Sequence, residues 1–211
     1  MTSNDFIYAR KSIRKFKDTP VPTEDLKEMI KAATYAPSGK NFQNWHFVVV
    51  SDRNKIDAMA NAVLAKNELL ASYSKDEESA NKFRKFAKYS TVFKNAPHVI
   101  LIFAGPYPTS GLQFLKDKSA SMDEIHTLLK PSPGVQNVAA AMENLLLAAA
   151  NMGYGGCWMT GPNYASKEIC EVIGFEKEGY YLACMTPMGV PESFDVNQPP
   201  RKAVDDVTTF I

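Results

Sequence analysis

Histidine and cysteine, the usual sources of metal and thiol chemistry, are scarce in this 211-residue chain, with three of each. Cys157, Cys170 and Cys184 are widely spaced among apolar neighbours and form no CxxC pair. That excludes a local metal knuckle or dithiol motif, and the pattern fits a reducing cytoplasm. His46 and His98 open apolar runs, where packing or a hydrogen bond at a strand end accounts for them. His126 lacks an acidic or cysteine partner at ligand spacing, so no metal is expected. No Ser-His-Asp or Cys-His nucleophile can be assembled. Long apolar runs are also missing: the longest, 138–150, is broken by Glu143 and Asn144 and is too short to span a membrane. No apolar run follows a basic start, so no signal peptide is expected. Excess charge is absent too, with 24 Lys and Arg against 23 Asp and Glu and a net charge of +1. This removes the broad positive field of a nucleic-acid binder or a polybasic membrane protein. Any anion site has to be local.

What is present is the composition of a globular protein, 45% hydrophobic and 22% charged, at a length that suits one domain over 1–211. The segment 23–36 reads as a helix capped by Thr23, with Glu24 and Asp25 at its positive end and Leu26, Met29, Ile30 and Ala33 on its apolar face. It should stop near Pro37. "HFVVVS" (46–51), "HVILIFAG" (98–105) and "YYLACMTPMG" (180–189) read as buried strands. The stretch 52–94 reads as two amphipathic helices, with Phe83, Phe86 and Phe93 on an apolar face and solvated lysines opposite. The proline-containing 106–134 reads as a long surface loop with a single helical turn. "VQNVAAAMENLLLAAANM" (135–152) is apolar on nearly every side and reads as a deeply buried helix ended by Gly153. "CWMT" is strand-like, and "SKEICEVIGF" is a short capped helix closed by Gly174. The tail from about 190 to 211 has little of its own to pack against, so another subunit is its natural support.

Four stretches carry chemistry. "ARKSIRKF" (9–16) places Arg10, Lys11, Arg14 and Lys15 in eight residues. Arg10, Ser12 and Arg14 can converge two guanidinium forks and a hydroxyl on one small anion. The same residues equally suit a solvated basic turn. "APSGKNFQNW" (36–45) offers Ser38, Asn41 and Gln43, uncharged groups suited to the edge of a heterocycle, though a plain helix-to-strand connection explains them as well. "GYGGCWMTGP" (153–162) lacks the third glycine of a dinucleotide fingerprint and follows a helix rather than a strand. What remains is backbone that can approach a flat ligand closely. "PPRKAVDD" carries Arg201 in a polar, proline-stiffened tail.

Taken in order, "ARKSIRKF", "APSGKNFQNWHFVVVSD", "AAAMENLLLAAANMGYGGCW" and "PPRKAV" resemble the nitroreductase family of flavin mononucleotide (FMN) enzymes. The resemblance implies an α+β fold, a mixed and largely antiparallel sheet flanked by helices, in an intertwined homodimer whose centre is the 135–152 helix and whose tail crosses to the partner. It implies that Arg10, Ser12 and Arg201 hold the flavin phosphate, that Lys11 is also cofactor-binding, and that Arg14 reaches the pyrimidine edge, where it is the candidate catalytic group. Backbone N–H groups near Thr160 and Gly161 would face the ring, and Pro37, Ser38, Asn41 and Gln43 would come from the partner subunit. The implied reaction is ping-pong reduction of an electron-poor acceptor, a nitroarene or quinone, with NAD(P)H as co-substrate. Dehalogenation, flavin breakdown and flavin storage are alternatives on the same scaffold. The sequence departs from the family pattern at Asn44 and Pro199, which stand where proline and lysine are usual, and at Thr160, where some members carry an acid.

Overall fold

Successive side chains of a strand point to opposite faces, so a strand that is apolar throughout must be covered on both sides. The computed structural model describes residues 4–211; residues 1–3 of the expected 1–211 domain lie outside the described residues. In chain order the elements are α1 (Asp5–Ala9), α2 (Thr23–Thr34), β1 (Trp45–Val50), α3 (Arg53–Ser72), α4 (Glu77–Ser90), β2 (His98–Ala104), α5 (Leu112–Asp117), α6 (Met122–Leu129), α7 (Pro133–Asn151), β3 (Gly155–Gly156), α8 (Ser166–Ile173) and β4 (Tyr181–Gly189). The strands form one antiparallel sheet in the order β1-β2-β4-β3. Its central strand β2 is buried at every position. Ile100, Ile102 and Ala104 enter a cluster with Leu26, Met29 and Ala33 of α2 and Val138, Met142 and Leu145 of α7. Val99, Leu101 and Phe103 enter a second cluster with Ile56, Met59 and Val63 of α3 and Ile169 of α8. Each of the larger side chains among them contributes about 1.5–3 kcal/mol by leaving water, and the two clusters fix the helices on both faces of the sheet. The fold class is therefore the α+β arrangement expected.

Several local expectations need correction. The stretch 106–134 is not a loop with one turn but carries α5 and α6. The N-cap of α6 is Ser121, in a reciprocal capping box with Glu124, a signal that "SMDE" carries in the sequence. Thr23 is the first residue of α2 rather than its cap, because Pro22 occupies the cap position without a side-chain bond. Likewise Ala165, which cannot cap, precedes α8. The strand expected at "CWMT" is instead β3 at Gly155–Gly156, and Met159 makes only a single bridge to Met185. Phe93 is buried and Phe83 partly so, but Phe86 stands on the exposed side of α4. Residues 192–211 contain only a short 3-10 turn (Val204–Val207) and are exposed nearly throughout.

Candidate functional site

The basic segment is extended rather than helical or turned: α1 ends at Ala9 and Arg10 already has extended backbone. In extended backbone, residues two apart share a side, the spacing of Arg10, Ser12 and Arg14. Ser12 forms a parallel bridge to Gly156, and Ile13 N–H donates to the Gly156 carbonyl at 2.9 Å. The glycines of the third stretch permit this approach. A Cβ on Gly155 would lie 2.7 Å from Ile13 Cβ, and one on Gly156 would lie 2.7 Å from Thr186 Oγ1 and 2.9 Å from the Pro187 carbonyl. The first and third stretches therefore lie side by side. Arg14 donates to the Ser12 carbonyl at 3.3 Å, and its charge reaches Cys157, whose thiol burial nonetheless pushes up to about 11. Arg10 is only loosely paired, with Nε 3.8 Å from Glu143 Oε1. Beyond Cys157, Thr160 and Gly161 open a 3-10 turn (Gly161–Ala165). Their N–H groups, at the start of a helical turn, have no intrahelical acceptor.

The tail returns antiparallel to the same segment. Lys17 N–H donates to the Val190 carbonyl at 2.8 Å, Glu192 N–H to the Lys15 carbonyl at 3.2 Å, and Gln198 Nε2 to the Arg10 carbonyl at 3.4 Å. Ile13 and Phe16 form a small core with Ala96, against which Val196 packs. Lys11, expected among the cofactor-binding residues, points its ammonium at the Phe194 carbonyl, 3.0 Å away, and so ties down the tail. Arg201 follows three residues after Gln198 and is exposed, and among the described residues its side chain bonds only to the nearby Pro199 carbonyl. The first and third stretches and the tail as far as Gln198 thus lie together at one end of the sheet.

Pro37, Ser38, Asn41 and Gln43 lie elsewhere. Their loop is internally tied: Gln43 N–H donates to Ser38 Oγ and Gln43 Nε2 to Asn41 Oδ1, both at 3.1 Å. Lys40, Asn41 and Gln43 have φ of 54°, 54° and 46°, unfavourable for side chains other than glycine. Two buried amides absent from the sequence-level site hold this loop. Asn137 Oδ1 accepts from Gly39 N–H at 3.1 Å, and Asn137 Nδ2 donates to Asn44 Oδ1 at 2.8 Å. Asn44 Nδ2 donates to the carbonyls of Gly105 and Gly134, each at 3.1 Å. The only sequence signal for this pair was asparagine at a position where proline is usual.

The loop adjoins the Ala104 end of β2, where Gly105 N–H donates to the Asn44 carbonyl. Ser12 adjoins the His98 end, through Gly156 and its partner Met188. Six strand steps, about 20 Å, separate the two ends. Within one chain the loop and the basic segment do not form a common pocket.

Residues 7–190 match the nitroreductase family. The chain belongs to that family. Among solved structures, a BluB-like flavoprotein from Clostridium difficile 630 is 41% identical, with a TM-score of 0.94, over 100% of this chain and 99% of that one. An FMN-bound nitroreductase from Bacteroides fragilis NCTC 9343 shares the fold, with a TM-score of 0.69 at 18% identity over 100% and 99% of the two chains. An iodotyrosine deiodinase from Thermotoga neapolitana is 26% identical over 209 residues, 98% of this chain and 97% of that protein. A relative from Archaeoglobus fulgidus, provisionally named an NADH dehydrogenase or NAD(P)H nitroreductase, is 29% identical over 157 residues, and the match spans 72% of this chain but only 64% of that protein.

In this nitroreductase-family chain α7 buries one face in the core, while Leu147 and Ala148 on its other side line an open groove with Phe6 and Tyr35. The helix is therefore less enclosed by its own chain than its composition suggested. No group of three or more potential metal ligands occurs among the described residues, and no described helix is long and apolar enough to cross a membrane.

Proposed function

We propose that the chain is an FMN-dependent oxidoreductase that passes two electrons from NAD(P)H to an electron-poor acceptor such as a nitroarene or quinone. The feature that supports this reading is the pairing of Ser12 with Gly156, with Arg14 close enough for its charge to reach Cys157 and Gln198 of the tail bonded to the Arg10 carbonyl. The residues fit FMN. A phosphate would replace the weak Glu143 contact of Arg10 with charge-assisted bonds, and the uncharged N–H donors of Thr160 and Gly161 would suit a polar ring edge. When bound, the flavin supplies hydride acceptance and donation. For a nitroarene one cycle is NAD(P)H + H⁺ + ArNO₂ → NAD(P)⁺ + H₂O + ArNO. Arg10, Ser12 and Arg201 hold the phosphate, with Lys11 fixing the tail that carries Arg201. Arg14 would face the pyrimidine edge of a bound flavin, where its charge would stabilise negative charge. The Thr160 and Gly161 N–H groups orient the opposite edge.

Pro37, Ser38, Asn41 and Gln43 serve the site of a second copy. Three features support this: the separation of about 20 Å between loop and basic segment, the open face of α7, and the exposed tail. The FMN in the Bacteroides fragilis structure and the nitroreductase name of the archaeal relative support the cofactor and the donor. The test is direct. Purified protein should be yellow, release FMN on denaturation, and oxidise NADH or NADPH when a nitroarene is added. Colourless protein that cannot be reconstituted with FMN contradicts the reading, and yellow protein without turnover is a flavin store.

A second reading, reductive dehalogenation, is favoured by the deiodinase relative that matches nearly the whole chain. Iodide release from an iodophenol under reducing conditions separates it from nitroreduction.

A further inference from the structure

Thr186 is fully buried in β4, where every residue from Cys184 to Gly189 is buried too. Its hydroxyl accepts from Cys157 N–H at 3.1 Å and donates to the Pro187 carbonyl at 2.9 Å. The strand register explains why a polar side chain stands there. Gly155 pairs with Gly189 and Gly156 with Met188, and in the same register Met159 and Met185 exchange both backbone bonds at 2.9 Å. Bonded pairs in an antiparallel ladder recur at every second residue, so the next pair along is Cys157 with Pro187. Proline has no N–H to give. The Thr186 hydroxyl fills that break, standing between the Cys157 donor and the Pro187 acceptor that would otherwise meet directly.

The other side of this strand gives the bond a use. Ser12 bridges Gly156, Ile13 N–H donates to the Gly156 carbonyl, and the Arg14 charge reaches the Cys157 thiol. Gly156 and Cys157 are therefore held between the basic segment and β4. A Cβ on Gly156 would lie 2.7 Å from Thr186 Oγ1, so the glycine lets the hydroxyl stand against the strand. Without that hydroxyl the Cys157 N–H, on a residue only 3% exposed, loses its acceptor, and an orphaned buried donor is costly. Recovering a partner requires the strand to shift toward β4, and the Ser12 bridge carries the basic segment with it.

We propose that Thr186 is a positioning residue for the flavin site: its hydroxyl sets the spacing of the Gly156–Cys157 strand from β4, and through the Ser12 bridge it places Ser12 and Arg14 against the cofactor. It acts through those residues, from within the core. The inference rests on the flavin assignment above.

Two comparisons remove the hydroxyl at nearly constant side-chain size: Thr186→Val against wild type, and Thr186→Ala against Thr186→Ser. The second pair decides the matter if Thr186→Val does not fold. The readouts are FMN affinity by fluorescence titration, the reduction potential of the bound flavin, and the urea midpoint. In each comparison loss of the hydroxyl should weaken FMN binding roughly tenfold. It should also lower the potential by about 30 mV, the equivalent of a further tenfold loss for the reduced form in a two-electron couple. Thr186→Ser should keep wild-type affinity and potential even though its missing methyl lowers stability. In an Arg14→Ala background, losing the hydroxyl should leave the potential where Arg14→Ala alone puts it, while the urea midpoint still falls. Flavin-binding protein whose affinity and potential do not respond to the hydroxyl would overturn the positioning role and leave the flavin assignment standing. Equal losses in Thr186→Ser and Thr186→Val would place the effect in packing and overturn it as well. Wild-type protein that binds no FMN would overturn both.

Discussion

Replacing Asn137 with alanine should destabilise the fold and loosen the 37–43 loop together. Asn137 makes two buried-side bonds, accepting from Gly39 N–H at 3.1 Å and donating to Asn44 Oδ1 at 2.8 Å. Gly39 is exposed, so water can satisfy its N–H. Asn44 is buried, and its orphaned Oδ1 costs about 1–3 kcal/mol. A loss of about 2 kcal/mol in a chain of this length lowers the thermal midpoint by about 4–8 °C. Asn44→Ala removes the partners of the Gly105 and Gly134 carbonyls as well and should cost more. Because the two amides bond each other, the double variant should show coupling of about 1 kcal/mol, less loss than the sum of the singles. The positive φ values at Lys40, Asn41 and Gln43 persist only while something holds them, so flavin affinity should fall with stability. The assay is urea denaturation followed by far-UV circular dichroism, beside flavin titration. Stability of Asn137→Ala within about 0.5 kcal/mol of wild type, a surface-like effect, with no coupling to Asn44, would refute the reasoning.

Other outcomes follow from single groups. His98 is held neutral: Val21 N–H donates to Nε2, Ser51 Oγ sits 2.7 Å from Nδ1, and burial holds its pKa below the usual value. Below about pH 6.5 the unfolded chain takes up a proton that the folded ring resists, so stability should fall with falling pH. His46, also lowered by burial and by Lys177, adds a slope of the same sign. His98→Gln should flatten the pH dependence of the urea midpoint between pH 7 and 5, and an unchanged slope would count against this origin. Burial pushes the thiols of Cys157 and Cys184 up to about 11 and about 12, whereas Cys170 is raised less and is partly exposed. Iodoacetamide on native protein should therefore label Cys170 first by mass spectrometry; equal labelling of all three contradicts this. Arg14→Ala should slow turnover more than it weakens binding of oxidised flavin, since its charge interaction strengthens on reduction. An unchanged flavin potential and unchanged rates would remove Arg14 from the mechanism.

The strands and the two core-facing helices could be read because their signal is local: "HVILIFAG" is apolar at every position and becomes the doubly covered β2, and the Leu26, Met29, Ala33 spacing becomes the buried stripe of α2. The 106–134 segment was misread because its prolines outweighed the Ser121–Glu124 capping box. Phe86 was misassigned for a different reason. Helical spacing puts it with Phe83 and Phe93, but α4 ends at Ser90 and Phe93 belongs to the 3-10 turn that follows (Val92–Asn95), so the shared period does not mean a shared face. The basic segment, the glycine run and the tail arginine were visible one by one. The adjacency of the first two was not, because it depends on a parallel bridge between Ser12 and Gly156, residues 144 apart in sequence. The Asn44–Asn137 clamp was invisible for the same reason, since each amide is ordinary until the fold buries it against the other.

Whether the basic segment of one copy and the 37–43 loop of another build a shared flavin site is tested most directly by complementation. One variant removes the phosphate grip, Arg10→Ala with Arg201→Ala; the other blocks the loop, Ser38→Trp with Asn41→Ala. The two are co-expressed with different tags, and the doubly tagged species is purified and assayed for bound flavin and nitroarene reduction. Each homodimer should lose flavin, while the mixed dimer keeps one intact grip facing one intact loop and should recover about half of wild-type activity per dimer. A folded mixed dimer that remains colourless and inactive would contradict the shared site and confine flavin binding to a single chain.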